Sequence, residues 1–171
     1  MLGLFALLRQ NRHMTTATAT KPASTDRKIA QKWGAALAGA GWTAMPNVII
    51  KRQKALGLTP LDVNIILQLL TYWWEHENLP RPSKATIAAA IGVDPRTVQR
   101  RIASMEKAKF IKRVPRTSST KGSNPNLYDF SGLIAAAQPF ALEELQDIEQ
   151  RKKASAEKLA RKRPRLAVVK S

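Results

Sequence analysis

Apolar positions keep helical spacing along this chain as far as Met105 and then switch to the alternation of strands. From Asp26 to Ala40 a helix is predicted, with Thr25 or Asp26 as cap and Ile29, Ala30, Trp33 and Leu37 on one side. Gly39, Gly41 and their small neighbours are expected to break it. Trp42 to Met45 reads as short and extended, because Pro46 biases Met45 away from helix. Pro46 to Leu56 predicts a helix through Val48, Ile49 and Ile50, closed by Gly57. Thr59-Pro60-Leu61-Asp62 is a strong helix start, with a cap, a proline at the first position and a carboxylate at the capping-box place. Val63, Ile66, Leu67, Leu70, Trp73 and Trp74 form the broad apolar face of that helix, which is expected to carry the core. Adjacent tryptophans on a helix point about 100° apart, so one is expected in the core and the other at its rim.

The stretch from Arg81 to Phe130 organises the rest. Ser83 is an N-cap, and Ile87, Ala88 and Ile91 give a short helix one buried stripe. Gly92 closes it. Asp94 caps a new helix with Pro95 at its first position, and Val98, Ile102 and Met105 are its buried stripe. Two capped helices joined by so tight a turn must cross steeply, as in a helix-turn-helix. Phe110 to Val114 alternates like a strand with one basic side, Pro115 to Asn126 has loop composition, and Leu127 to Phe130 returns as a second strand. Ser131 is expected to cap a helix that Pro139 interrupts. From Phe140 a further helix runs with its acids first and its bases last, an order that suits the helix dipole. Leu142, Leu145 and Ile148 do not keep a heptad beyond two turns, which supports a coiled coil only weakly.

Charge changes the picture next. The chain carries 29 Lys and Arg against 12 Asp and Glu, a formal +17 over 171 residues. So large a surplus speaks about partners rather than fold, and nucleic acid is the commonest polyanion. It is also localised. Arg81 to Ser123 holds eleven bases against Asp94 and Glu106, and Arg151 to the end holds nine against Glu157. The segment Arg161-Lys162-Arg163-Pro164-Arg165 reads as a basic tail that strengthens binding to a phosphate backbone.

The chemistry lies on the second helix of the pair. At about 100° per residue, Arg96, Arg100, Ala103 and Lys107 lie opposite its buried stripe, with Thr97 and Gln99 on the flanks. These residue types suit base edges and phosphates. Gly92-Val93-Asp94-Pro95-Arg96-Thr97-Val98-Gln99-Arg100, with a small Ala88 four residues before the glycine, resembles bacterial winged helix-turn-helix DNA-binding domains. So does the continuation from Ile102 to Ile111. Lys109 departs from that pattern, standing where those families usually carry a helix-ending glycine. The resemblance covers roughly Trp42 to Ile134 and says little about either tail. It implies a mainly α fold with a small β-wing, which a short strand over Trp42–Met45 is expected to join. The residues themselves predict a helical, basic extension after it. The resemblance also implies that Arg96, Thr97, Gln99 and Arg100 meet base edges. Ser83, Lys84, Arg101, Lys107, Lys112, Arg113, Arg116, Ser119 and Lys121 are then the expected contacts to the DNA backbone. The domain reading is a disordered tail over 1–25, a helical segment over 26–41, the winged helix-turn-helix over 42–134 and the extension over 135–171.

Other classes find little support. Without cysteine there is no disulfide or thiolate metal site, and His13 and His76 lie far apart. No phosphate-binding glycine loop, carboxylate cluster or triad arrangement occurs, so neither an enzyme nor a cofactor is expected. No run approaches the roughly 18 apolar residues of a membrane span, and Met1 to His13 lacks the marks of a signal peptide, with Met14 an alternative start. The expected setting is cytoplasmic and nucleoid-associated, with double-stranded DNA as partner, a homodimer allowed, and contacts to replication or transcription machinery conceivable. A sequence-specific transcriptional regulator is the leading expectation. A plasmid or phage replication initiator binding origin repeats and a protein-interaction module are the alternatives.

Overall fold

The computed structural model describes residues 24–116 and 125–162. The chain divides at Trp42 into two units. The first holds α1 (Ser24–Trp33) and α2 (Ala35–Ala40). The expected single helix is broken earlier than its glycine content suggested, because Gly34 adopts φ 88°, a left-handed geometry open to a residue without Cβ. Gly39 lies inside α2, where glycine costs helix propensity without ending the helix.

The second unit begins with α3 (Asn47–Lys51), shorter than the predicted helix over Pro46–Leu56, since the chain passes into turns at Arg52. Gly57, at φ 70°, ends those turns. The Leu58 N–H donates to the Gln53 carbonyl at 2.8 Å and the Gly57 N–H to that of Lys54 at 3.0 Å. The helix α4 (Pro60–Leu70) starts on the expected capping box between Thr59 and Asp62. Its buried stripe is Asp62, Ile65, Ile66 and Leu69, whereas Val63, Leu67, Leu70 and Trp73 pack only partly. The sequence pattern names Val63, Leu67 and Leu70 in place of Ile65 and Leu69, and reads Asp62 as a capping-box carboxylate without placing it in the buried stripe. Trp73 lies past the helix end and stacks on Phe130 at 5.5 Å, while Trp74 is 69% exposed.

α5 (Lys84–Ile91) and α6 (Pro95–Lys107) form the tight helical pair. Gly92, at φ 71°, makes the turn, and the Val93 N–H returns to the Ala88 carbonyl at 3.1 Å. Ala88 and Ile87 from α5 join Val98, Ile102 and Met105 from α6 and the α4 stripe in one core. α6 ends with Lys109 in the left-handed region, at φ 62°. The Phe110 N–H then reaches the Met105 carbonyl and the Lys109 N–H that of Glu106, both at 2.9 Å, which is a Schellman closure. The turn that glycine makes in the families resembled is kept here by a lysine.

The wing follows. β1 (Lys112–Val114) pairs antiparallel with β2 (Leu127–Asp129), with Arg113 opposite Tyr128. The expected strand over Trp42–Met45 does not form. The far edge of β2 is used instead by Pro80, whose carbonyl accepts the Tyr128 N–H at 3.0 Å. Proline has no N–H to extend the ladder, so the sheet stops there. α7 (Ser131–Lys162) is one continuous helix through Pro139, contrary to the expected interruption. Pro139 and Ala135 are both exposed, so water can satisfy the carbonyl that proline leaves without a partner. The N–H of Ser131 is bound by the Asp129 carboxylate at 2.8 Å, so the cap comes from Asp129 rather than from Ser131. Leu133 and Ala137 fasten the start of α7 to the core.

Candidate nucleic-acid interface

α6 faces two ways because its apolar residues recur at i, i+4 and i+7. Val98, Ile102 and Met105 are buried, which turns Arg96, Gln99, Arg100, Ala103 and Lys107 outward, all exposed. Asp94 sets the start: its carboxylate accepts the Arg96 N–H at 2.7 Å, leaving the Arg96 side chain free. Thr97 is half-buried, and its hydroxyl accepts a hydrogen bond from Arg100 at 3.4 Å. Arg96, Arg100 and Lys107 pair with no carboxylate among the described residues. The outward side of α6 is therefore bare and cationic.

Two expected backbone contacts are engaged in ion pairs within the domain. Arg101 turns toward α4, where its Nε donates to Asp62 at 2.8 Å, its Nη2 binds the second carboxylate oxygen, and the same nitrogen reaches the Thr59 hydroxyl at 3.2 Å. Asp62 is 1% exposed. Burial alone would raise its pKa, but the hydrogen bonds from Arg101 and Thr59 and the charge of Arg101 outweigh it, holding the carboxyl below its ordinary range. Arg113, on β1, donates through Nε to Glu106 at 2.8 Å and through Nη2 to the same oxygen. That hydrogen bonding lowers the pKa of Glu106 and removes the one acidic charge of α6 from view. Both arginines are held in ion pairs within the domain, though their side chains stay 30 and 31% exposed. A count of charges along the sequence cannot see that each has a carboxylate waiting for it.

The other expected contacts divide. Lys84 donates to the Gln99 side-chain oxygen at 3.1 Å, linking the start of α5 to α6 and leaving the Gln99 NH2 as the free donor. Ser83 is occupied as a cap, accepting the Thr86 N–H at 3.0 Å. Lys112 and Arg116 are exposed on the wing, while Ser119 and Lys121 lie outside the described residues. The fold also assembles something the motif did not suggest. An open groove of about 690 Å³ at the base of the wing brings Arg81 and Arg116 together with Tyr72 and Trp74, though Glu75 and Glu77 line it too. The tryptophan pair was a visible signal in sequence, but its proximity to Arg116 was not.

Residues 56–111 match the family model of a helix-turn-helix domain, a span that runs from the turns before α4 through α6 to the edge of the wing. Among solved structures the chain is similar to the crystal structure of the transcriptional regulator PA3341. That match has 18% identity over 80% of this chain and 93% of that chain, with a TM-score of 0.36, a level that carries no argument about function. No curated protein matches the chain.

Proposed function

We propose that this protein, whose residues 56–111 match a helix-turn-helix domain and lead into a wing, binds double-stranded DNA sequence-specifically and regulates transcription by doing so. In this reading α6 enters the major groove. Arg96, Gln99 and Arg100 meet base edges, with Thr97 at the margin. Lys84, Lys107, Lys112, Arg116 and the wing residues Ser119 and Lys121 hold the phosphates. The observation that carries it is the exposed row of Arg96, Gln99, Arg100 and Lys107, without a carboxylate partner among the described residues, on a helix whose opposite side is sealed in the core.

Selection from a randomised duplex library, followed by quantitative binding, tests the assignment. One enriched motif is expected. Arg100→Ala should lose about 1–3 kcal/mol of discrimination at one base pair, as expected for an arginine reading guanine. Lys112→Ala should weaken all sequences alike and lower the slope of log K against log salt by about 1. Equal losses on every sequence for the Arg100 variant would reject its role at a base edge. Enrichment of iterated repeats, with loss of a replicon on deletion, would assign the same surface to replication initiation.

A further inference from the structure

Beyond the part of α7 that packs on the core, every side chain from Leu145 to Arg161 is exposed. Leu142, Leu145 and Leu159 are 53, 61 and 66% exposed. Leu142, Leu145, Glu149, Lys152, Ala156 and Leu159 are spaced 3, 4, 3, 4, 3 along this unbroken helix, the spacing of an a/d seam with apolar residues at both ends and one acid and one base at its centre. The seam is turned away from Leu133 and Ala137, which face the core. Lys51 and Arg52 hold Glu144 and Glu143 on another side of the helix. The seam also carries a shallow depression of about 400 Å³ beside Leu142 and Leu145.

We infer that this face binds a second copy of the chain as an antiparallel helix pair. The argument is charge and register. A twofold axis between Gln150 and Arg151 sets Leu142 against Leu159, Leu145 against Ala156 and Glu149 against Lys152 of the second copy, each pair occurring twice. Of the acids in 143–149 only Glu149 lies on the seam, and of the bases in 152–158 only Lys152, so this pair carries the charge complementarity. In a parallel pair the same seam would place Glu149 against Glu149 and Lys152 against Lys152, and like charges there are repulsive. Glu149 also meets Lys153 of its own helix at 3.7 Å, an exposed contact that does not compete strongly. This pairing stands apart from the DNA reading, and its test uses no DNA.

Sedimentation equilibrium of the nucleic-acid-free full chain should show a monomer–dimer equilibrium. Glu149→Lys and Lys152→Glu should each weaken it at least tenfold, and the double variant, which exchanges the two signs, should restore it. The chain has no cysteine, so Leu142→Cys and Leu159→Cys are unambiguous probes. Mixed and oxidised, they should cross-link to each other. Leu142→Cys alone should not, because the two copies of position 142 would lie about 25 Å apart at 1.5 Å per residue. A monomer at all concentrations, a dimer indifferent to both charge reversals, or efficient self-cross-linking of Leu142→Cys would overturn the proposal.

Discussion

Arg100 and Arg101 are neighbours in sequence with opposite surroundings. Arg100 projects to solvent, whereas Arg101 closes on a carboxylate that is almost wholly buried. Removing Arg101 leaves the Asp62 carboxylate with only the Thr59 donors, so Arg101→Met should cost about 1–3 kcal/mol in denaturant unfolding. Arg100→Ala should stay within about 0.5 kcal/mol of the parent in the same measurement. The lowered pKa of Asp62 gives the pair a pH dependence of definite sign. Its stabilisation is complete above the unfolded carboxyl value of about 4 and is lost as pH falls toward the lower folded value. In the Arg101→Met variant, that stretch of the acid-unfolding curve should flatten. Two backbone positions make a second test. Lys109 holds a left-handed φ of 62°, so Lys109→Gly should be neutral or stabilise by up to about 1 kcal/mol. Gly132 presses on the same turn, where an added Cβ would stand 1.8 Å from the Lys109 carbonyl oxygen. Gly132→Ala should therefore lower the thermal midpoint, at a cost of about 2–4 kcal/mol.

Among the elements, the helix-turn-helix was the most legible. Ser83, Gly92, Asp94 and Pro95 act where their intrinsic conformations predicted, because caps and left-handed turns depend on a few adjacent residues. Two errors fell where a distant partner overrides a local preference, and a third where the flanking helix does. α4 buries the face containing Asp62 because Arg101, 39 residues away, neutralises it. The expected strand before Pro46 is absent because Pro80 occupies the edge of β2. α7 continues through Pro139 because helix on both sides outweighs one missing hydrogen bond at an exposed position. Proline is still unfavourable in a helix interior by about 3 kcal/mol, so Pro139→Ala should raise the thermal midpoint, with a gain of about 1–3 kcal/mol.

For the whole molecule, the formal +17 governs how strongly any duplex is held, whatever its sequence. Deleting residues 163–171 removes Arg163, Arg165 and Lys170. The salt slope of duplex binding should then fall by up to about 3, at roughly 0.9 for each phosphate no longer neutralised, while the enriched motif stays the same. A changed motif would mean that this segment reads bases.

The sequence by itself determined the helix-turn-helix, the wing strands and the cationic side of α6, because periodicity, capping and turn chemistry act over a few neighbouring residues. Tertiary structure decided which cations are free. Arg101 and Arg113 carry the same charge as Arg96 and Arg100, yet Asp62 and Glu106 hold them in ion pairs. Whether a charge faces solvent or a partner depends on segments far apart in the chain, and only folding brings those together.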